Sequence, residues 1–324
     1  MEKVANPVQA YAKALLEVGG QDERVFCLTA DLMHPFMIEE FSLKYPDRFL
    51  NVGVAEQNLM GIAAGLATCG KIPFVHTYTP FMTMRSCEQM RTDVCYPCLN
   101  VKMAGMCSGI NMGVGGATHH SVEDIAILRA IPNMTLLSPA DPVEMGKAVH
   151  AAAKHVGPTF IRFGRYPAPL VYEEGGGPAF EIGKAIVLRE GTDISLLATG
   201  LMVYRALEAA DLLAKEGISA RVINFHTIKP IDRSAIVKAA QETGRIVTAE
   251  EHNILGGFGA AVAEVLVEEY PVPMRRVGIQ DTFCGLGPTE EMYRKWGLTS
   301  QDIARVARDL LQSRSTPSRL GLER

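Results

Sequence analysis

One carboxylate stands at a turn where it could hold or transfer a proton. Glu56 lies in the segment NVGVAEQN (residues 51–58), after an apolar turn and immediately before an apolar helix. A glutamate in the first turn of a helix commonly complements the helix dipole, and this is the simplest interpretation of Glu56 taken alone. The segments that follow favour a second interpretation, in which the carboxylate serves a bound ligand.

Two aromatic residues follow the next strand-like run. Tyr78 and Phe81 lie three residues apart in the segment PFVHTYTPF (residues 73–81). Aromatic side chains most often pack in cores, but two rings just after a strand could also support a planar ligand. The pair therefore predicts either ordinary packing or a stacking surface for a flat heterocycle.

A glycine-rich loop carries two adjacent histidines. His119 and His120 lie in GVGGATHHSVED (residues 113–124), where glycines let the backbone approach a ligand closely. Imidazoles transfer protons near neutral pH, so the pair is a candidate for acid–base work, although a single histidine is more often structural. The glycine patterns of dinucleotide-binding loops and P-loops are absent, which argues against nucleotide binding.

The cysteines predict no metal or disulfide site. There are seven of them, an odd number scattered through the chain, which suits a reducing compartment. Cys95 and Cys98 form a single CxxC without a second pair at metal-ligand spacing, so we interpret them as ordinary thiols.

Composition indicates an ordinary soluble globular protein without a polyanionic partner. The chain has 324 residues, 48% of them hydrophobic, and a formal net charge of -4. This balance argues against nucleic acid or acidic lipid as a partner. No apolar run reaches the roughly 20 residues of a membrane span, and the first residues do not resemble a signal peptide, so we expect a cytoplasmic protein.

Strand-like and helix-like segments alternate along the chain. The patterns predict helices over residues 6–18, 58–69, from Thr83, and over 141–155, the last with Asp141 and Pro142 at its start. They predict strands over 24–29, 73–76, 100–104, 134–137, 193–198, 221–224, 245–249 and 274–278. The alternation predicts an α/β fold with mainly parallel sheets flanked by helices.

The length favours two domains, and composition suggests where they divide. Residues 165–183 are rich in proline and glycine, which is typical of a connection rather than a packed element. We predict a first domain over 1–172, a linker over 173–183, a second domain over 184–312 and a polar tail over 313–324.

The order of these segments resembles one family. The runs ADL, GVAEQN, IPFVHTYTPF, GATHHSVED and IPNMTLLSPAD resemble the pyrimidine-binding domain of transketolases. The later runs VINFHTIKPID, VTAEEHNILGGFG and GIQDTF resemble the carboxyl-terminal domain of transketolases and of the beta subunits of 2-oxoacid dehydrogenases. The resemblance covers most of residues 5–312 and implies thiamine diphosphate as cofactor.

The resemblance also implies roles for individual residues. At the position of Glu56, the family has a glutamate that bonds the N1′ atom of the aminopyrimidine and promotes the tautomer that deprotonates the thiazolium C2. Tyr78 and Phe81 match the stacking aromatics. Leu32 and Val54 match the residues that bend the cofactor, and Asp31 lies in the same matching turn.

For the substrate, the resemblance is incomplete. His119 matches a histidine that binds substrate and moves protons, His120 is similarly paired in deoxyxylulose phosphate synthases, and Arg165 falls where transketolases have a phosphate-binding arginine. Gly115 replaces an aspartate that contacts donor hydroxyls, and Cys107 stands where the family often has a histidine. These departures leave the donor and the acceptor open.

The family's motif for the diphosphate and its metal begins with Gly-Asp-Gly, and this sequence contains none. The resemblance therefore implies a partner subunit that carries this motif and holds Mg²⁺, Ca²⁺ or Mn²⁺, in a heterotetramer with two copies of each subunit or a similar assembly. The cofactor would lie at the interface between the two subunits.

The sequence thus predicts the carboxyl-terminal subunit of a split transketolase, which moves a two-carbon ketol unit from a ketose, expected to be phosphorylated, to an acceptor. One alternative is the beta subunit of a 2-oxoacid dehydrogenase, which shares both domains and the glutamate. Another is a noncatalytic regulatory paralogue, since Gly115 and Cys107 replace expected substrate contacts.

Overall fold

The computed structural model describes residues 3–173 and 175–313. The strands are β1 Val4–Ala5, β2 Val25–Thr29, β3 Phe49–Asn51, β4 Ile72–Tyr78, β5 Lys102–Met106, β6 Thr135–Leu137, β7 Thr159–Phe163, β8 Ala168–Pro169, β9 Ile186–Arg189, β10 Ile194–Ala198, β11 Ala220–Asn224, β12 Thr227–Lys229, β13 Ile246–Asn253 and β14 Met274–Ile279. The helices are α1 Pro7–Gln21, α2 Glu39–Lys44, α3 Glu56–Thr68, α4 Cys87–Gln89, α5 Asp124–Ala130, α6 Pro142–Lys154, α7 Met202–Ala214, α8 Arg233–Thr243, α9 Phe258–Glu269, α10 Thr289–Lys295 and α11 Ser300–Gln312.

The first sheet carries the candidate site. Its seven strands lie in the order β12-β6-β7-β5-β4-β2-β3, and all neighbours are parallel except β12, which runs antiparallel to β6. Every residue of β4, β5 and β7 is buried, as expected for central strands of a parallel sheet covered on both faces. The predicted α/β class is confirmed.

The second sheet has five strands in the order β14-β13-β10-β11-β9. Only the edge strand β9 runs antiparallel to its neighbour. A separate two-stranded pair joins β1 to β8 in antiparallel fashion. This pair places part of the proline-rich stretch against the beginning of the described chain.

Two helix starts follow directly from their sequences. The Asn6 side chain accepts a hydrogen bond from the Val8 N–H at 2.9 Å and caps α1. The Asp141 side chain accepts one from the Glu144 N–H at 2.7 Å, with Pro142 as the first residue of α6. A short polar side chain that accepts at the first turn, followed by proline, is a typical helix start. Both predicted helices are confirmed with small differences at their ends.

Other boundaries were predicted wrongly. The segment expected to form a helix from Thr83 begins at Phe81 and is largely π-helical, over Phe81–Arg85 and Met90–Cys95. The helix expected from residue 58 begins at Glu56. The strands β1, β3, β8, β9 and β12 were missed because they have four residues or fewer, and so short a run gives little signal. The strand β7 was missed although it is central and buried, since Arg162 interrupts its apolar run.

The two predicted domains share a sheet and a hydrophobic cluster. The strand β12 comes from the second half of the sequence but pairs with β6 of the first sheet. Leu59 of α3 also shares one hydrophobic cluster with Phe225 and Phe258. Residues 173 and 175–183 form no helix or strand, but the exact domain and linker boundaries stay a prediction. Except for Ser313, the predicted tail lies outside the described residues.

A buried polar network, called the polar seam below, joins the two halves. It consists of Asp124, Arg162, Glu250, Glu251 and His252, none more than 4% exposed. Arg162 Nε donates to Asp124 Oδ2 at 2.8 Å, and its Nη2 donates to the backbone oxygen of Glu251 at 2.8 Å. A charge so deeply buried is tolerated only when it is paired and hydrogen-bonded.

The two glutamates of the seam bind backbone amides. Glu251 Oε1 accepts from the Ile110 N–H at 2.6 Å. Glu250 accepts from the N–H groups of Phe258 and Gly259 at 2.6 and 2.9 Å, where α9 begins. The EEH segment therefore has a structural role that ties helix α9 and the loop after β5 to β13.

Within residues 3–173 and 175–313, no helix has the length and apolar character that a membrane crossing requires.

Candidate functional site

The carboxyl edge of the first sheet brings most of the predicted site residues together. Leu32 follows β2, Glu56 follows β3, Phe81 follows β4 and Arg165 follows β7. Because β7, β5, β4, β2 and β3 are neighbouring parallel strands, their carboxyl ends lie along one edge. In open α/β sheets, ligands bind in the crevice outside this edge.

Glu56 is the first residue of α3 and is only 2% exposed. Its Oε2 accepts a hydrogen bond from Arg85 Nη1 at 2.8 Å, and its Oε1 accepts one from Thr77 Oγ1 at 3.4 Å. The first-turn position favours a negative charge through the helix dipole. The helix-start role and the ligand-binding role are therefore compatible in one carboxylate.

Three aromatic rings form a cluster beside this carboxylate. The ring centroids of Tyr78 and Phe81 lie 5.9 Å apart, those of Tyr78 and His119 5.6 Å, and those of Phe81 and His119 5.3 Å. His119 Nδ1 lies 2.9 Å from Thr118 Oγ1, which sets the orientation of the imidazole. The structure thus brings one strand end and the glycine-rich loop into contact through their rings.

Arg165 reaches the same cluster from β7. Its Nη1 donates to the Tyr78 hydroxyl at 2.7 Å, and its backbone N–H donates to Asn111 Oδ1 at 2.8 Å. Asn111 Oδ1 also accepts from the Tyr166 N–H at 2.9 Å, so one buried amide fixes the turn. Burial raises the pKa of Tyr78, although the Arg165 guanidinium opposes that shift.

His120 lies deeper than its neighbour. It is 4% exposed, and its Nε2 donates to the Gly113 carbonyl oxygen at 3.2 Å. Among the described atoms, its Nδ1 has no hydrogen-bond partner. Burial lowers the pKa of His120, and the nearby His119 adds to the shift. A neutral imidazole with a free acceptor nitrogen can receive a hydrogen bond from a ligand hydroxyl.

The remaining predicted cofactor contacts are arranged differently. Asp31 is exposed, has a φ of 60°, and exchanges hydrogen bonds with the Asn51 side chain at 3.0 and 3.1 Å. Leu32 packs partly against the core of the first domain. Val54 is 71% exposed, so its side chain forms no apolar wall within this chain.

The two departures from the family pattern have clear structural settings. A Cβ at Gly115 would lie 2.8 Å from Met112 Sδ and 3.0 Å from the Cβ of His119, so an aspartate there would require Met112 to move. Cys107 is fully buried with a φ of 65°, and burial raises the pKa of its thiol to about 12. A buried neutral thiol does not supply the positive charge that a histidine at this position could offer.

A cavity of about 500 Å³ adjoins the site. It is lined by Phe81, Arg85, His120 and Glu123 from the first domain and by Phe283 from the second. Its rim thus combines aromatic, cationic and acidic side chains. Together with the buried Glu56, this set fits a flat, nitrogen-containing ring that donates a hydrogen bond to a carboxylate and stacks on an aromatic face.

Some site residues escaped the sequence analysis. Arg85 and Asn111 contact the predicted residues but belong to no motif that we recognised, and Thr77 lies in the run IPFVHTYTPF without having been assigned a role. The one available signal is the spacing of Arg85, four residues after Phe81 on the same helical segment. That spacing predicts a shared face but not a contact with Glu56, which lies 29 positions away in sequence.

Across the described ranges, no group of three or more histidine, cysteine, aspartate or glutamate side chains could hold a metal ion. Cys95 is buried and Cys98 exposed, and both are free thiols.

Comparison with known proteins gives consistent matches over the whole fold. Family models described as transketolase, pyrimidine binding domain, and transketolase, C-terminal domain, match residues 5–169 and 183–303. A 6-deoxy-6-sulfo-D-fructose transketolase subunit of a Clostridium species is 45% identical, with 94% of each chain covered. One of the subunits of the apulose-4-phosphate transketolase of Phocaeicola vulgatus is 40% identical, with 94% of this chain and 97% of that protein covered.

A solved structure is also closely similar. It is described as a split gene transketolase, inactive beta4 tetramer, and it is 44% identical with a TM-score of 0.88. The match covers 94% of this chain and 98% of that one.

Proposed function

The chain belongs to the transketolase family, and from this premise we propose that it is the carboxyl-terminal subunit of a two-component, thiamine diphosphate-dependent transketolase. In this proposal it moves a two-carbon ketol unit from a ketose to an aldehyde acceptor. The observation that carries the proposal is the buried Glu56 carboxylate beside the Tyr78–Phe81–His119 ring cluster at the carboxyl edge of the sheet.

Each of these residues has a defined task. Glu56 would hold the aminopyrimidine ring nitrogen through a shared proton, and Tyr78 and Phe81 would support the ring. Thiamine diphosphate, when bound, supplies the electron sink for ketol transfer. His119 would accept and return the proton of the donor hydroxyl, since its imidazole is partly exposed and held by Thr118.

The substrate is proposed to be a ketose with a terminal anionic group. Arg165 supports this, because a guanidinium has five N–H donors and its Nη1 uses one of them on the Tyr78 hydroxyl, which leaves other donors of the fork for an anion. One relative is named for a sulfonated ketose and another for a phosphorylated one. A sulfonate and a phosphate present similar oxygens to such a fork, so either anion fits Arg165.

A second subunit is proposed to complete the site. The sequence lacks the Gly-Asp-Gly motif, and a similar structure composed of four beta chains is described as inactive. We expect the partner to bind the diphosphate and its divalent metal, with two copies of each subunit in the assembly.

The test is reconstitution with the neighbouring gene product that carries Gly-Asp-Gly, thiamine diphosphate and Mg²⁺. Consumption of anionic ketoses should appear with aldehyde acceptors, and Glu56→Ala should lose it by about 10³-fold or more while the complex still assembles. Glu290→Ala is the matched control, since Glu290 also lies in a first helical turn and pairs with Arg205 at 2.8 Å.

Three results would contradict the proposal. Full activity of Glu56→Ala would remove the mechanism. Decarboxylation of 2-oxoacids without ketol transfer would identify a dehydrogenase subunit. Cofactor binding without turnover of any sugar in a broad panel would identify a noncatalytic paralogue.

A further inference from the structure

One side chain makes both contacts that the proposed function assigns to the aminopyrimidine ring. Arg85 Nη1 donates to Glu56 Oε2 at 2.8 Å, and the Arg85 guanidinium carbon lies 4.4 Å from the centre of the Phe81 ring. The Arg85 side chain is 49% exposed, whereas Glu56 is 2% exposed. The guanidinium therefore covers the carboxylate from the solvent side and stacks on the aromatic residue next to it.

The local backbone explains this arrangement. Phe81–Arg85 forms a π-helical turn, which is wider than an α-helical turn and often occurs at functional sites. The turn places residue 85 over residue 81. The Arg85 guanidinium therefore stacks on the Phe81 ring, and its Nη1 reaches Glu56 at the start of α3. The sequence predicts an ordinary helix from Thr83, and the wider π-helical turn differs from that prediction.

We propose that Arg85 occupies the aminopyrimidine subsite in the resting chain and is displaced when the cofactor binds. The inference rests on the proposed function. A guanidinium and an aminopyrimidine are both flat, conjugated and rich in N–H donors, so they compete for the same carboxylate and the same ring face. Arg85 thus keeps a buried carboxylate paired until the cofactor arrives.

The cavity of about 500 Å³ gives the displaced side chain a place to move into. Arg85 already lines it, as does Glu123, a carboxyl group whose pKa is raised by burial. A nearby carboxylate offers the guanidinium a second partner once Glu56 is taken.

Competition has a measurable consequence for affinity. The apparent affinity of a ligand that must displace an internal contact is its intrinsic affinity multiplied by the fraction of molecules in which that contact is open. In the reconstituted two-subunit complex, Arg85→Gln should therefore bind thiamine diphosphate with Mg²⁺ about tenfold more tightly than wild type, as measured by calorimetry. Arg91→Gln, an exposed arginine on the same segment, should bind like wild type.

The possible results distinguish the displacement of Arg85 from the proposed function on which it rests. Unchanged or weaker binding by Arg85→Gln, with normal binding by wild type, would overturn the displacement and leave the proposed function intact. Binding by neither wild type nor any variant would overturn both. Binding by Arg85→Gln alone would support the displacement strongly.

A second measurement needs neither partner nor cofactor. In urea unfolding of the isolated full chain, Arg85→Gln should lower the midpoint because it leaves a buried carboxylate unpaired. Adding Glu56→Gln to that variant should recover most of the loss. If the decreases in midpoint caused by Arg85→Gln and Glu56→Gln simply add in the double variant, the two side chains are not coupled, and Arg85 does not stabilise the buried carboxylate.

Discussion

The candidate site and the polar seam both bring arginines to carboxylates, but they surround them differently. In the seam, Arg162 is 4% exposed and binds both the Asp124 carboxylate and the Glu251 backbone. In the site, the Arg85 side chain is 49% exposed, and the Glu56 carboxylate accepts a second hydrogen bond from Thr77 Oγ1 at 3.4 Å. The seam carboxylates are held by buried partners, whereas Glu56 is held by a half-exposed side chain that has room to move away.

This difference distinguishes carboxylates that stabilise the fold from a carboxylate that can bind a ligand. A buried charge with several fixed partners is costly to disturb, so such groups stabilise the join between the two halves. A buried charge with one half-exposed partner can change partners without unfolding the chain. We therefore expect substitutions in the seam to lower stability and substitutions in the site to alter binding and turnover.

The largest expected effect is on stability at the seam. Arg162→Met leaves Asp124 buried and unpaired, and it should lower the free energy of unfolding by about 3–5 kcal/mol. Arg308→Met is the control, because Arg308 is 37% exposed and pairs with Glu216 at 3.3 Å. Its loss should be at most about 1 kcal/mol. Equal losses of unfolding free energy for Arg162→Met and Arg308→Met would show that the buried ion pair stabilises the chain no more than a surface pair does.

Two glycines offer the next comparison. A Cβ at Gly109, where φ is 69°, would lie 2.3 Å from Cδ of the buried Glu251, whereas a Cβ at Gly115 meets the flexible Met112 thioether. Gly109→Ala should therefore cost about 2–4 kcal/mol of stability, because backbone strain and overpacking add. Gly115→Ala should cost about 1 kcal/mol.

Replacing Met112 tests whether its side chain causes the cost at Gly115. In a Met112→Ala background, the cost of Gly115→Ala should fall, because the contacts with the Met112 side chain are gone, although the contact with the His119 Cβ at 3.0 Å remains. A Gly115→Ala loss that is as large as that of Gly109→Ala, and that Met112→Ala does not relieve, would contradict the proposed difference between the two regions.

The third prediction concerns pH. Burial raises the pKa of Glu251 to about 7, whereas an unfolded glutamate titrates near 4.3. The folded state therefore binds this proton more tightly, so the contribution of this group to stability is complete below about pH 4 and is lost as pH rises through 7. Relative to wild type, Glu251→Gln should gain about 2 kcal/mol in free energy of unfolding between pH 5 and pH 8.

Glu268→Gln is the matched control for the pH series. Glu268 is 64% exposed and pairs with Arg233 on the surface. The difference in free energy of unfolding between Glu268→Gln and wild type should stay constant between pH 5 and pH 8. A constant difference for Glu251→Gln as well would mean that its carboxyl group is already ionised throughout.

The fold was largely predictable because its signals are local. The helix starts at Asn6 and Asp141 have short polar caps followed by proline, and these determine the first turn on their own. Most of the central strands are largely apolar runs between turns, although β7, which contains Arg162, was missed. By contrast, β12 pairs with β6 of the other half of the sequence, and no local pattern of its residues indicates that contact.

The sequence singled out Glu56, Tyr78, Phe81 and His119 through their ordered motifs, and the structure brings the last three together, while their roles stay predictions. Their hydrogen-bond partners could not be predicted. The ion pair between Glu56 and Arg85 depends on a π-helical turn, whose extra residue per turn leaves no periodic mark in a short segment. Likewise, the family resemblance suggested a cofactor-bending role for Val54, and its motif carried no sign that the side chain is exposed in this chain.

The central claim is that Glu56 activates the bound cofactor. It is tested most directly by the rate at which the C2 proton of thiamine diphosphate exchanges with deuterium in the reconstituted complex, followed by proton NMR after rapid quenching. Glu56→Gln should slow this exchange by about 100-fold or more, while Glu290→Gln should exchange at the wild-type rate. Equal exchange rates in wild type and Glu56→Gln would contradict the account.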